Sequence, residues 1–174
     1  MIIRNATLND SAAIAAIYND AVLNSTAIWN EQTVDAANRA AWIGERQAAG
    51  YPVLVLVAVN GADEAIGYAS FGDWRAWDGY RHTVEHSVYV HQAHRGEGIG
   101  KALLIALIAR AREIGKHVMV AGIESGNQAS IQLHLALGFR EVGRMEQVGA
   151  KFGQWLDLTF LQLTLDERVT PPAR

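Results

Sequence analysis

Hydrophobic positions along the chain follow two different periods, and each period predicts a different kind of element. The segments that follow residues 10 and 98 repeat apolar residues every three or four positions, which predicts two amphipathic helices. Short β-branched runs lie between and after them, and one of these, Val53–Ala58, is apolar at every position. Such a run is typical of a strand that is buried on both faces of a sheet.

Taken in order, these patterns predict eleven elements in the sequence βααβββαβαββ, which indicates a mixed α+β fold. The predicted elements are strand Ile2–Arg4, a helix capped by Asn9 or Asp10, helix Val34–Ala48, strands Val53–Ala58, Ala65–Phe71 and Thr83–Val90, helix Ile99–Ile114, strand Val118–Ile123, a short helix opened by Ser125 or Asn127 and closed by Gly138, and strands Phe139–Val148 and Phe152–Leu163. In addition, Asn60-Gly61 predicts a tight turn between the second and third strands.

The chain has 174 residues, half of them hydrophobic, which suits one domain over residues 1–167 with a loose tail at 168–174. No apolar run approaches the roughly 20 residues of a membrane span, and the N-terminus lacks a signal-peptide pattern, so we expect no membrane partner. The net charge of −3, without a basic cluster, argues against nucleic acid as a partner. The absence of cysteine excludes disulfides and an acyl-cysteine intermediate, and it fits a cytoplasmic protein.

The densest chemical signal is a glycine-rich turn between the strand that ends at Val90 and the helix that begins at Ile99. This turn contains Gly96, Gly98 and Gly100. Glycine allows positive φ and a close approach of the backbone to a ligand, and the first turn of a helix carries free N–H groups. The turn therefore predicts a phosphate or pyrophosphate site, and the alternative is a tight connection without a ligand.

Two well-known phosphate loops do not fit this turn. A Walker A loop requires glycine where Arg95 stands and serine or threonine where Ala102 stands. A Rossmann fingerprint requires its third glycine one residue later, near the first strand of a βαβ unit. The pattern that fits, Arg95-x-x-Gly98-x-Gly100, resembles the acetyl-CoA pyrophosphate loop of the GNAT superfamily of N-acetyltransferases.

The resemblance to the GNAT superfamily covers nearly the whole chain. The predicted element order matches the GNAT order, and Asn127–Phe139 resembles the second motif of the superfamily, N-x-x-S-x-x-x-Y/H-x-x-x-G-F. The resemblance implies the GNAT acyl-CoA N-acyltransferase fold, a central mixed and mostly antiparallel sheet flanked by helices, with acetyl-CoA as the acetyl donor. We expect no metal, because His82 and His86 are four residues apart on a strand, where a third ligand is missing.

The resemblance places the acetyl-CoA site on three segments of the chain. Backbone groups of the glycine-rich turn and of the strand before it would hold the pyrophosphate and the pantetheine arm, and one face of the short helix would complete the site. The expected residues are Val88, Tyr89, Val90, Arg95, Gly96, Glu97, Gly98, Ile99, Gly100, Lys101, Asn127 and Ser130. Alternatively, Arg95 is a solvated loop arginine and Asn127 is a plain helix N-cap.

Acetyl transfer to an amine requires a base for the amine proton and is helped by an acid for the leaving thiolate. We expect Glu85 to be the base, because in period-2 register it shares a strand face with Ser87 and Tyr89, and partial burial raises the pKa of a carboxylate. His134 stands where many GNAT members have tyrosine, and it is the expected acid. The alternatives are a solvated glutamate at the sheet edge and a half-buried structural histidine.

One branch of GNAT, the phosphinothricin acetyltransferases, is the branch that the chain resembles. The segments Glu85–Val90 and Val148–Asp157 and the loop at Trp74-Arg75 carry this resemblance. It implies a homodimer that detoxifies phosphinothricin, methionine sulfoximine or methionine sulfone by N-acetylation. Together with a polar-aromatic loop before the second helix, it gives the expected amino-acid site: Trp29, Glu31, Arg75, Ala76, Trp77, Glu85, His86 and Ser87.

Two other functions are compatible with the sequence. A GNAT enzyme of this kind would acetylate a different amine, such as a protein N-terminus or a polyamine, since a net charge of −3 does not repel cations. A non-catalytic acyl-CoA-binding sensor would share the fold, but the presence of Glu85, Asn127 and His134 favours an enzyme.

Overall fold

The computed structural model describes residues 1–59 and 61–174. Within them, a single sheet consists of β1 (Ile2–Asn5), β2 (Val53–Val57), β3 (Ala65–Asp73), β4 (Thr83–Val90), β5 (Val118–Glu124), β6 (Arg140–Lys151) and β7 (Gln154–Thr164). The α-helices are α1 (Ser11–Asn24), α2 (Ala36–Ala48), α3 (Ile99–Glu113) and α4 (Gln128–Ala136). The predicted order and the α+β class are confirmed. The predicted Asn60-Gly61 turn lies partly outside the described residues, because Asn60 is not among them.

The sheet has the strand order β1-β2-β3-β4-β5-β7-β6, and its neighbouring strands are antiparallel except for the β4–β5 pair. Alternate residues of β2 face two separate cores. Val53 and Val55 pack with Ile14 of α1 on one face, and Leu54 packs with Leu103 of α3 on the other. Every residue of β2 is buried, which confirms the prediction of a strand covered on both faces.

The two central strands diverge part-way along their length. In this fully described part of the sheet, the β4–β5 ladder joins Thr83–Glu85 to Val118–Val120 and goes no further. Beyond it, β4 continues to Val90 against β3, and β5 continues to Glu124 against β7. A notch therefore opens between the carboxyl ends of two adjacent parallel strands, and backbone groups of β4 that face β5 are left without a strand partner.

The last hairpin differs from the prediction. The sequence analysis places a break near Gly149, whereas β6 continues to Lys151 and the turn is formed by Phe152 (φ 53°) and Gly153 (φ 71°). Consecutive positive φ angles match the right-handed twist of a two-residue hairpin. Gly149 instead stands inside the strand beside a bulge, where a side chain would lie 2.9 Å from Cδ2 of Trp29. Its role is close packing rather than a turn.

Smaller differences concern helix starts and the tail. Asp10 does precede α1, but its carboxylate accepts hydrogen bonds from Arg4 and from the Thr7 amide instead of capping the helix. No helix in the described part of the chain is long and apolar enough to cross a membrane. Beyond Thr164 the described chain has neither helix nor strand, and the division into a domain over 1–167 and a loose tail stays a prediction.

Candidate active site

A groove with a volume of about 390 Å³ occupies the notch between β4 and β5. Its walls come from the diverging strand ends, the start of α4 and the glycine-rich turn. The residues that line it include His86, Ser87, Val88, Tyr89, Val90, Arg95, Gly100, Gly122, Ile123, Glu124, Asn127, Ser130 and His134. The structure thus brings most of the predicted cofactor residues of β4 and α4 to one cavity.

The glycine-rich turn has the geometry of an anion site. Gly96 and Gly98 have φ angles of 80° and 79°, which glycine adopts without steric cost, and Gly98 precedes α3 without a side-chain cap. The first N–H groups of α3 therefore have no side-chain acceptor. At Gly100 a side chain would lie 3.7 Å from Cγ2 of Val90, so α3 begins close against β4. These residues fit the pyrophosphate of an acyl-CoA.

Only some residues of the glycine-rich turn line the groove. The Arg95 side chain is exposed, lines the groove and forms an ion pair with Asp20 at 3.0 Å, so it is not a purely solvated arginine. Glu97 faces away from the groove toward His94, at 3.1 Å. Ile99 buries its side chain in the core, so its backbone amide is the part that remains for a ligand. Gly96, Glu97, Gly98 and Lys101 do not line the cavity itself.

On α4, Asn127 is the N-cap, and its Oδ1 accepts a hydrogen bond from the Ser130 amide at 3.2 Å. Both residues also line the groove. The two interpretations of Asn127, helix cap and ligand contact, are therefore compatible, because the amide nitrogen of the side chain is not used by the cap.

Glu85 is half buried on the last ladder pair of β4, opposite Val120. Its Oε2 lies 3.2 Å from where a side chain of Gly122 would begin, so this glycine leaves room for the carboxylate beside the groove wall. Burial raises the pKa of Glu85, and the positive charges of Arg75 and Arg46 oppose that rise. The alternative of a solvated glutamate at the sheet edge is excluded.

His86 lines the groove together with Ser87, but its ring lies on the opposite face of β4 from Glu85, and its place in the amino-acid site stays a prediction. Successive residues of a strand face opposite sides of the sheet, so His86 points toward α4, where its ring stacks on His134 with centroids 5.0 Å apart. The strand alternation that predicts a common face for Glu85 and Ser87 also predicts the opposite orientation of His86.

The two histidines have defined tautomers. Nδ1 of His134 lies 2.7 Å from the Ser130 carbonyl oxygen, which only accepts, so Nδ1 carries the proton. Nε2 of His134 then accepts from Nε2 of His86, at 2.9 Å. Burial and the neighbouring His134 lower the pKa of His86 to about 3, and burial lowers the pKa of His134. The pair is neutral at pH 7, and the role of His134 as an acid stays a prediction.

Aromatic residues cover the face of the sheet that carries Glu85. Phe160 of β7 pairs with Gly122 and shares this face, and the Trp74 ring meets it edge-on with centroids 5.6 Å apart. The Arg75 guanidinium stacks on Trp74 at 4.1 Å. Trp29 approaches the same face over Gly149. Of the other predicted substrate residues, Glu31, Ala76 and Trp77 are exposed at the rim.

Comparison with known proteins identifies the family. A model of the acetyltransferase (GNAT) family matches residues 14–139. This chain belongs to the GNAT acetyltransferase family. The resemblance inferred from the two motifs is thereby confirmed.

Several relatives of this GNAT chain have names that specify a reaction. It is 64% identical over 173 residues to L-amino acid N-acyltransferase MnaT of Escherichia coli, with 99% of each chain covered. It is 62% identical over 173 residues to an L-methionine sulfoximine/L-methionine sulfone acetyltransferase of Salmonella typhimurium, again with 99% of each covered. Proteins named phosphinothricin N-acetyltransferase share 30% to 37% identity.

A solved structure supports the GNAT fold directly. A Salmonella typhimurium protein, determined with its cofactor acetyl-CoA, superposes with a TM-score of 0.95 and 61% identity, covering 100% of this chain and 99% of that one. Among the described residues of the GNAT chain there is no group of three or more histidine, aspartate or glutamate side chains that would hold a metal ion.

Two residues near the site of this GNAT chain were missed by the sequence analysis. Lys151, only 2% exposed, donates from Nζ to the carbonyl oxygens of Ser25 and Ile28, both at 2.6 Å, and so ties β6 to the loop that carries Trp29. Arg46, in the last turn of α2, lies against Gly72. Nothing in the local sequence distinguishes Lys151, in a strand rich in charged residues, or Arg46 from an ordinary surface residue.

Proposed function

We propose that this GNAT chain is an amino-acid N-acetyltransferase. It would move the acetyl group of acetyl-CoA directly to the α-amine of methionine sulfoximine, methionine sulfone or phosphinothricin, and so detoxify the analogue. The observation that carries the proposal is the half-buried carboxylate of Glu85, which stands where β4 and β5 diverge, beside a groove suited to acyl-CoA. Relatives named for sulfoximine and sulfone support this choice of substrate.

The groove would hold acetyl-CoA at two kinds of site. The first-turn amides of α3, with Arg95 beside them, suit the negative pyrophosphate. The backbone of Val88–Val90, which has no partner on the β5 side, suits the amides of the pantetheine arm, since unpaired backbone groups require hydrogen bonds. When bound, acetyl-CoA supplies the acetyl group as an activated thioester.

Glu85 would act as the general base. Its carboxylate accepts a proton from the substrate ammonium and leaves a neutral amine able to attack. Burial raises its pKa and makes it a stronger base, while Arg75 and Arg46 favour the ionised form that a base requires. Gly122 lines the groove, and the Glu85 carboxylate lies next to it. The proton acceptor would therefore be close to acetyl-CoA bound in the groove.

His134 would donate a proton to the leaving group, because it is the imidazole that α4 contributes to the groove wall. The donor form requires a proton on Nε2, the atom that accepts a hydrogen bond from His86 in the neutral pair. Its lowered pKa restricts that form to a minor fraction of molecules at neutral pH. The acid role therefore predicts that the contribution of His134 to turnover falls as the pH rises through its lowered pKa.

The amino-acid substrate would bind on the face that carries Glu85 and Ser87. Trp74 and Phe160 supply an apolar wall, and Arg75, stacked on Trp74, supplies a positive charge for an anionic or strongly polar group of the substrate. The rim residues Glu31, Ala76 and Trp77 would help to close this site in a homodimer.

Exposed apolar side chains support the homodimer. On the β6–β7 hairpin, Met145, Val148, Phe152 and Trp155 are 47% to 69% exposed, and Trp77 is 80% exposed. Apolar residues concentrated in this way are typical of an interface, and a second copy presents the same surface. We also propose a cytoplasmic location, where acetyl-CoA is available.

The test is release of CoA from acetyl-CoA by the purified protein with methionine sulfoximine, methionine sulfone, phosphinothricin, common amino acids and a polyamine in parallel. Saturable turnover confined to the tetrahedral analogues is the expected result. Turnover only with amines that lack a carboxylate would agree with a GNAT acetyltransferase but would refute the proposed amino-acid site. Binding of acetyl-CoA without turnover on any amine would favour a sensor.

A further inference from the structure

Arg46 carries a positive charge into the face of the sheet that holds Glu85. It lies in the last turn of α2, its side chain is half buried, and a side chain on Gly72 would lie 2.7 Å from its Cζ atom. Gly72 is directly opposite Glu85 in the β3–β4 ladder. The guanidinium therefore lies over Gly72, next to the proposed base. Any side chain at position 72 would occupy the same space.

This guanidinium forms no ion pair in the part of the chain that the structure describes. Among residues 1–59 and 61–174, no carboxylate lies within ion-pair distance of Arg46 and no hydrogen bond of its side chain is formed, although it stacks 5.5 Å from Trp42. The nearby Asp73 carboxylate is engaged by the Tyr51 hydroxyl. Burial lowers the pKa of Arg46, and the nearby negative charges of Asp73 and Glu85 oppose that shift without touching the guanidinium. A half-buried guanidinium without a partner is costly, and an anionic ligand would relieve that cost.

The spacing suits an α-amino acid. Residues directly opposite each other in an antiparallel pair are about 4.5–5.5 Å apart, so the group over Gly72 and the group at Glu85 are neighbours. An α-amino acid carries its ammonium and its carboxylate on the same carbon. When the substrate amine is close enough to give its proton to Glu85, the α-carboxylate of the substrate comes within reach of Arg46. A guanidinium binds a carboxylate through two parallel hydrogen bonds.

We infer that Arg46 binds the α-carboxylate of the substrate and thereby selects amines that carry a carboxylate on the same carbon. This inference rests on the proposed function and adds the residue that recognises the backbone of the amino acid. Arg75, which stacks on Trp74, is then left for the polar end of the substrate side chain. The two arginines would bind two different groups of the same substrate molecule, the α-carboxylate and the polar end of the side chain.

The decisive experiment compares methionine sulfone with its α-amide in the wild type and in Arg46→Gln. Loss of one partner of a desolvated charge pair is expected to reduce kcat/KM for the sulfone by at least about 30-fold, mainly through KM. The amide lacks the charge, so its kcat/KM, or its inhibition constant if it is not turned over, should change less than about threefold. The KM for acetyl-CoA should stay unchanged.

Two further variants separate recognition from folding. Arg39→Gln removes the arginine seven residues earlier on the same helix face, which stacks on Tyr18 and Trp42, and it should leave the KM for the sulfone unchanged. Gly72→Ala places a methyl group where the Arg46 guanidinium lies, so it should displace this end of a flexible side chain without unfolding the protein, and it should raise the KM for the sulfone as Arg46→Gln does.

Each outcome decides a different question. Equal losses on sulfone and amide in Arg46→Gln, or a sulfone KM that stays within about threefold of the wild-type value, would overturn the assignment of Arg46. Absence of turnover by the wild type on every amino-acid analogue would instead overturn the proposed function, and the assignment with it.

Discussion

Lys151 offers a direct test of how the loop before α2 is held over the active site. Replacement by methionine keeps the length and apolar stem of the side chain but removes its ammonium group. In the wild type that ammonium donates to Ser25 and Ile28 at 2.6 Å and lies 3.4 Å from the Ala21 oxygen. No carboxylate forms an ion pair with it in the described part of the chain, so its bonds are to neutral carbonyl groups.

The magnitude follows from which carbonyl groups lose their donor. The Ala21 oxygen keeps bonds from the Ser25 amide at 3.2 Å and the Ser25 hydroxyl at 2.8 Å, so it remains satisfied. The Ser25 and Ile28 oxygens lose their donor, at about 1–3 kcal/mol each. Methionine recovers part of this because no ammonium has to be desolvated. The expected net loss in the free energy of unfolding is about 2–4 kcal/mol, or roughly 5–15 °C in Tm for a domain of this size.

Urea unfolding followed by tryptophan fluorescence measures this loss, because Trp29 belongs to the loop that Lys151 holds. Lys101→Met, at an exposed position in the first turn of α3, is the matched control for stability and should change the free energy of unfolding by less than about 0.5 kcal/mol. If Lys151→Met also stays within about 0.5 kcal/mol of the wild type with an unchanged m-value, the loop does not depend on Lys151 and the reasoning fails.

Three further predictions concern catalysis and assembly. Glu85→Gln should lower kcat by about 10²–10⁴-fold. In the wild type, kcat/KM should fall as the pH drops through the raised pKa of Glu85, at a higher pH than for a solvated glutamate, and a profile with no such acid limb would remove Glu85 as the base. His134→Phe should slow turnover most at acidic pH, where the largest fraction of His134 carries the proton that it would donate, and the effect should shrink as the pH rises through its lowered pKa; a rate lowered equally at every pH would indicate a structural role. Trp155→Glu, at a 69% exposed position, should convert the dimer into a monomer in light-scattering measurements, and a wild type that is already monomeric would refute the dimer.

The elements of this fold were predictable because their signals are local. The period of apolar residues gave the order of strands and helices, and β4 was predicted with the bounds that it has, Thr83–Val90. The glycine-rich turn was visible because positive φ at Gly96 and Gly98 requires a particular residue type. The predicted end of the strand at Val148 was wrong, because β6 continues through Gly149 to Lys151. Close packing against Trp29, and not a turn, explains the glycine at position 149.

The active site was only partly predictable. Strand alternation alone places Glu85 and Ser87 on one face and His86 on the other, and the grouping of all three in one amino-acid site stays a prediction. The pairing of His86 with His134 joins residues 48 apart in the chain, and no local pattern indicates it.

By itself, the sequence determined the class of fold, the family and the positions of the glycine-rich turn and the proposed base, because period, glycine content and residue type are properties of neighbouring positions. Only the tertiary structure decided where β4 and β5 diverge, which loop Lys151 holds across 126 residues, and that Arg46 lies over Gly72, the residue opposite Glu85, without an ion pair among the described residues. These contacts arise when distant segments pack together, and a buried charge takes its partners from whichever backbone the fold brings to it.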